Sequence, residues 1–374
     1  MERCDVLIVG GGPAGSSCAW RLARAGLDVV VVDRQSFPRD KVCAGWITPQ
    51  VVAELEIDPA AYREGRTFQT FHGFRLGVDG GSQASVDHGR PVSFGIRRCE
   101  FDDYLLRRSG ARLALGQPLR SLERSRGDWV LNGALRAPVI VGAGGHFCPV
   151  ARRLAGDGAG DPIVAAQEIE FALDADGEKD CGVQPELPEL FFSADLRGYG
   201  WVVRKGRFVN VGLGRQDTEA FPGHVEAFLR SLAAHGRLPR GMPRRLHGHA
   251  YRVYDQPRRA LVADAALWIG DAAGLADPHS GEGIRPAVES GLLAARTLLG
   301  ADGRYGRDRL APYERAVRER FAGTAGGAAA ALSALLPVRA RRSLARRLLA
   351  RDWFARRVVI DGWFLHRNLP ALSV

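Results

Sequence analysis

A glycine-rich turn between two apolar strands constrains this chain more than any other stretch. Residues 4–9 (CDVLIV) read as a short buried strand that runs straight into Gly10-Gly11-Gly12-Pro13-Ala14-Gly15, a G-x-G-x-x-G. A helix is predicted over residues 16–25, and Gly26 stops it. Residues 27–32 form a second apolar strand, which ends in Asp33. In such a turn Gly10 permits the tight reversal, Gly12 lets a pyrophosphate approach the backbone, and Gly15 lets the helix pack closely on the strand. Open N–H groups at the helix start, aided by the helix dipole, then face the phosphates. Asp33 stands 18 residues after Gly15, near the roughly 20 typical of the acid that takes the ribose hydroxyls. An acid there, rather than Arg, points to an adenosine ribose without a 2′-phosphate, as in NAD or FAD.

The 374 residues leave room for two domains at about 100–200 residues each. With 46% hydrophobic and 25% charged residues, the composition is that of a water-soluble globular chain. No apolar run nears the roughly 20 residues needed to span a bilayer. The chain opens directly on a strand, so no leader peptide is expected. Its six cysteines are scattered without a C-x-x-C pair, so neither zinc nor a disulfide framework is expected and a cytoplasmic setting is the simplest reading.

The net charge of +10 is concentrated at the end, where residues 335–374 carry nine arginines against Asp352 and Asp361. Helical propensity over 339–357 would align Leu344, Leu348, Leu349, Trp353 and Phe354 against those arginines. That pattern fits peripheral contact with an anionic lipid surface; a face packed on the body of the protein is the alternative. Nucleic acid is not an expected partner, because no binding module accompanies the charge.

Further along, Thr48-Pro49 opens a helix to Leu55, and residues 66–96 alternate as strands and hairpins. Residues 97–110 form a helix, residues 113–122 and 129–131 a small strand pair, and residues 138–145 a third buried strand with a glycine turn. Strands at 164–173, 189–195, 200–204 and 208–213, with a helix at 223–235, predict an antiparallel sheet inserted as a second domain. Residues 260–269 return to a strand that ends in Gly270-Asp271-Ala272-Ala273-Gly274, with helices over 284–299 and 310–321.

The N-terminal glycine motif, the Arg98-x-x-Phe101-Asp102 helix start and the late Gly270-Asp271 together resemble FAD-binding flavoproteins of the para-hydroxybenzoate hydroxylase fold. Within that class the chain is most similar to the geranylgeranyl reductase family. The likeness rests on Asp40-Lys41-Val42-Cys43-Ala44-Gly45, on Gly198-Tyr199-Gly200-Trp201 with the later Val209–Gly214 run, and on Gly281-Glu282-Gly283-Ile284. It covers about residues 3–330. It implies an α/β fold: a Rossmann-like FAD-binding domain (1–70, 97–160, 256–330), an inserted antiparallel-sheet substrate domain (71–96, 161–255) and a C-terminal helical tail (331–374).

By the same resemblance FAD would lie extended. Gly10, Gly12, Pro13, Ala14 and Gly15 would meet the pyrophosphate and Asp33, with Arg34 beside it, the adenosine ribose. Arg98 would reach the pyrophosphate or ribityl region, and Asp271 the ribityl hydroxyls or a phosphate-bridging water. Lys41, Ala44, Gly45, Gly281, Gly283 and Ile284 would line the isoalloxazine, with N–H groups near N1 and O2. Cys43 would be the catalytic thiol, donating a proton or gating substrate, and Tyr199 and Trp201 would bind a hydrophobic small molecule. NADPH or NADH docking transiently would reduce the flavin; a protein reductant is the other option.

Two departures stand out. Gly144 occupies the place of an acid usual in the wider fold, and Val203-Arg204 replaces a Phe-Pro that usually follows the Tyr-x-Trp motif. The expected reaction is reduction of carbon–carbon double bonds in an isoprenoid or lipid-like substrate. A flavin monooxygenase is the first alternative, with a halogenase and a non-catalytic, membrane-docking flavoprotein behind it.

Overall fold

The computed structural model describes residues 1–156, 163–239, 241–243, 245–254, 260–321 and 338–373. Its centre is a six-stranded sheet. Val6–Val9 lies in the middle, paired in parallel with Val29–Asp33 on one side and Val139–Gly142 on the other. Arg112–Leu115 and Ala266–Trp268 extend it in parallel. All four residues of Val6–Val9 are buried, as expected of a parallel strand covered on both faces. Helix Pro13–Arg24 crosses Ile284–Leu299 on one face. Gly291 allows that crossing, since a Cβ there would overlap the Ala14 carbonyl oxygen.

Two expectations need correction here. The run at 113–122 is not one strand: Arg112–Leu115 joins the central sheet, whereas Leu122–Ser125 pairs with Asp128–Leu131 in a separate four-stranded sheet. Gly116, with φ +71°, and Pro118 break the run. Residues 260–269 fold as a hairpin of Val262–Ala263 and Ala266–Trp268, turned by Ala265 at φ 54°.

A seven-stranded sheet forms the second layer, in the order His247–Arg252, Ile163–Ala172, Phe208–Arg215, Gly198–Lys205, Glu189–Phe192, Gly73–Val78, Gln83–Asp87. The sheet is mixed rather than purely antiparallel, because Glu189–Phe192 and Gly73–Val78 pair in parallel. Segment 71–96 also divides: Ser93–Gly95 leaves this sheet to pair with Trp46–Ile47 and Gln69–Phe71. Helix Phe221–Ala234 covers one face through Val225, Phe228 and Leu232.

The other face is covered by the C-terminal segment: helix Val338–Leu349, the turn Asp352–Phe354 and a π-helical stretch Ala355–Phe364. Leu349, Ala355, Val359, Ile360 and Phe364 pack there against Trp46, Phe74, Leu76 and Trp201. The segment is therefore a wall of the second layer as much as a tail. The expected divisions at 160/161, 255/256 and 330/331 lie outside the described residues, as do the side chains of Arg339, Arg341 and Arg342.

Candidate active site

The carboxyl ends of the central strands open into a cavity of about 570 Å³, the crevice where ligands bind in open α/β sheets. It takes in Gly10, Gly12, Pro13, Ala14, Asp33, Arg34, Lys41, Cys43, Ala44, Gly45 and Arg98. Tyr199, Trp201, Asp271, Gly281, Gly283 and Ile284 complete the far wall. Of the sequence-predicted site residues only Gly15 lies outside. It packs behind the turn, where a Cβ would overlap the Gly10 carbonyl oxygen.

Helix Pro13–Arg24 starts at Gly12 without a side-chain cap and with no acid in its first turn, so its leading N–H groups remain available for an anion. Gly10, at φ +117°, sits against the backbone of Ala143 and Gly144, which pins the first turn to the third strand's turn. Asp33 Oδ2 accepts from Gly11 N at 2.8 Å and Oδ1 from Gln35 N at 2.9 Å. Its carboxylate is thereby held at the cavity wall. Arg39, Lys41 and Arg98 add positive charge to the same cavity. An anionic, extended dinucleotide fits this donor set.

Arg98 makes a bidentate pair with Asp102, Nε to Oδ1 at 2.7 Å and Nη2 to Oδ2 at 2.8 Å. Although burial alone would lower it, Asp102 holds the Arg98 guanidinium above its ordinary value. Lys41 Nζ bonds His249 Nε2, whose ring lies 3.8 Å from Asp271 Oδ2. Burial pushes the Lys41 ammonium down to about 8 and lowers His249 as well. Burial would raise Asp271, but His249, Lys41 and Arg98 outweigh it and hold that carboxyl below its usual range. Both Lys41 and Arg98 face Cys43.

A second cavity of about 260 Å³ adjoins the first. The two share Tyr199, Trp201, Tyr251 and Gly281 as lining. Much of the smaller one is apolar: Val164, Phe192 and Leu196 from the sheet layer, and Leu349, Phe354 and Trp363 from the C-terminal segment. Tyr199 OH donates to the Ser280 carbonyl, fixing the ring at the junction.

Residues 5–78 match the family model described as FAD dependent oxidoreductase. The menaquinone reductase of Mycobacterium tuberculosis is 31% identical over 80% of this chain and 78% of its own. The digeranylgeranylglycerophospholipid reductase of Methanothrix thermoacetophila is 30% identical over 85% and 83%. The chain belongs to the geranylgeranyl reductase family. It is an FAD-dependent oxidoreductase. A geranylgeranyl bacteriochlorophyll reductase-like protein from Thermoplasma acidophilum has the same fold, with a TM-score of 0.78 at 21% identity and 98% of each chain covered.

Several residues of this geranylgeranyl reductase family member escape a motif search. His249, His146 and Tyr251 line the large cavity. Beneath the Cys43 loop lies a polar network. Trp201 Nε1 donates to Asn210 Oδ1 at 2.7 Å. Asn210 Nδ2 lies 3.1 Å from the Cys43 carbonyl and 3.0 Å from Glu168 Oε2. Lys205 Nζ reaches Ala44 O at 3.1 Å and pairs with Glu170. The signal was present: Ala166, Glu168 and Glu170 alternate along one strand, so they share one face, and acids are rarely buried without partners.

Proposed function

We propose that this chain reduces carbon–carbon double bonds in the isoprenoid part of a lipid-like substrate. The supporting observation is the apolar cavity that opens into the cofactor-sized one at Tyr199, Trp201, Tyr251 and Gly281. The curated relatives, named as reductases of menaquinone and of a digeranylgeranyl phospholipid, support the same substrate class.

The turn Gly10–Gly15 and its helix would hold the pyrophosphate of FAD, and Asp33 the adenosine ribose. Once bound and reduced, FAD would supply hydride to one carbon of the double bond. N–H groups at the start of helix Ile284–Leu299 would stabilise negative charge on the flavin's N1–O2 side. Tyr199 and Trp201 would orient the chain, and Cys43 would give a proton to the other carbon. A nicotinamide, NADPH or NADH, docking transiently is the proposed electron source. The C-terminal segment is proposed to rest on an anionic lipid surface, from which a substrate of this class would enter the apolar cavity.

The decisive experiment is mass spectrometry of products from the reduced, FAD-loaded protein given polyprenyl lipids, with and without oxygen. Gains of hydrogen pairs without oxygen are expected. Products that gain an oxygen atom only in air would replace this reading with a monooxygenase.

A further inference from the structure

Two acids sit side by side under the Cys43 loop in different surroundings. Glu170 takes both neighbouring cations: Lys205, and Arg97 Nε at 2.9 Å. Burial would raise it, yet those cations hold it below its ordinary value. Glu168 is 6% exposed and is bonded instead to the neutral amide of Asn210. It also faces the backbone N–H of Cys43. One residue away, Asn210 carries the Cys43 carbonyl and the Trp201 indole. The Glu168 carboxyl therefore lies at the node that ties the cofactor-side loop to the aromatic wall of the apolar cavity.

We propose that Glu168 is a positioning residue for the Cys43 loop, holding it in one arrangement as the carboxylate and another as the acid. As the carboxylate, it accepts from Asn210 Nδ2 and from Cys43 N–H. As the acid, one oxygen becomes a donor and loses acceptor capacity toward the loop. Asn210 Nδ2 keeps its contacts with the Cys43 carbonyl and Glu170 Oε2, so the change falls on the Cys43 N–H, which Glu168 accepts less well. Burial pushes Glu168 up to about 7, against the lowering effect of Asn210, so both forms are populated near neutrality. The charged and titratable groups around it are Glu170 on its own strand, Lys205 on Gly198–Lys205, Arg97 at the start of helix Arg98–Arg108, and Cys43, Lys41 and Arg98 at the loop. His247 stands opposite in register on His247–Arg252 and is exposed.

The test measures alkylation of Cys43 in the FAD-loaded protein by peptide mass spectrometry across about pH 5.5–8.5, comparing wild type with Glu168→Gln. The amide mimics the protonated acid, so the two rates should agree at the acid end. They should diverge by about threefold or more with a midpoint near 7 as wild type ionises. Glu168→Asp keeps a titrating group and should keep an inflection. A wild-type to Glu168→Gln ratio that stays constant across the range, with flavin content intact in both proteins, would overturn the proposal. No substrate enters the measurement, so its failure is separate from failure of the reductase reading.

Discussion

Gly10, Gly12 and Gly15 share a motif but differ in what surrounds them. A Cβ on Gly10 or Gly15 would overlap backbone, so those two glycines are needed for the protein to close on itself. Gly12 faces the cavity, and a Cβ there meets only Arg39 Nη2 at 3.4 Å. Gly12→Val should therefore fold with nearly unchanged thermal stability yet bind FAD at least about tenfold more weakly, a loss of about 1.4 kcal/mol. Flavin absorbance after purification reads the binding, and a thermal melt of the apoprotein reads the fold. A fully yellow variant would remove the pyrophosphate from this turn.

At the scale of elements, the C-terminal segment has one buried and one exposed face. Leu349, Val359, Ile360 and Phe364 are buried against the seven-stranded sheet. Leu344 and Trp353 are 46% and 58% exposed, and Arg346, Arg347, Arg351, Arg356 and Arg357 are exposed around them. Apolar anchors fringed by arginines suit the headgroup region of an anionic bilayer, where each cation adds about 1 kcal/mol. Among the described residues no helix is long and apolar enough to cross a membrane, so contact would be at the surface. Leu344→Ser with Trp353→Ser should weaken binding to phosphatidylglycerol vesicles by about tenfold, while the melting temperature stays put because neither side chain is core. Equal flotation of wild type and variant would rule out these two anchors.

Across the whole molecule, the chain end is tied to the cofactor layer by a buried charge cluster. Glu54 Oε1 accepts from Leu372 N at 2.8 Å. Glu289 pairs with Arg285 at 2.6 Å and Arg320 at 2.8 Å, and Arg320 also donates to the Pro370 carbonyl. Burial, and then the charge of Glu289, raise Glu54 above the ordinary carboxylate range. A carboxyl raised in the folded state binds its proton more tightly there than in the unfolded chain. Its stabilising contribution is complete at acid pH and is lost as pH climbs through the folded value. Glu54→Gln should melt like wild type near pH 5 and become more stable by on the order of 1–3 kcal/mol near pH 9. A difference that does not change with pH would show that Glu54 is ionised throughout.

The N-terminal turn, Asp33, the Arg98 helix and the Gly270-Asp271 turn were legible because each is a local pattern in which spacing sets geometry. Continuous apolar runs likewise marked the strands buried on both faces. The run at 113–122 misled because one glycine and one proline divide it between two sheets, and partner choice lies outside any local window. The parallel pairing of Gly73–Val78 with Glu189–Phe192 joins segments more than a hundred residues apart, so periodicity could not reveal it. The Glu168–Asn210–Trp201 network draws on two strands and a distant loop. The apolar cavity draws its wall from the sheet and from the C-terminal segment. By itself, the sequence determined a dinucleotide-binding α/β protein and seventeen of the residues that line the larger cavity. Only the tertiary structure decided which buried acid keeps a cation and which face of the arginine-rich segment meets solvent, because burial and partner distance set both.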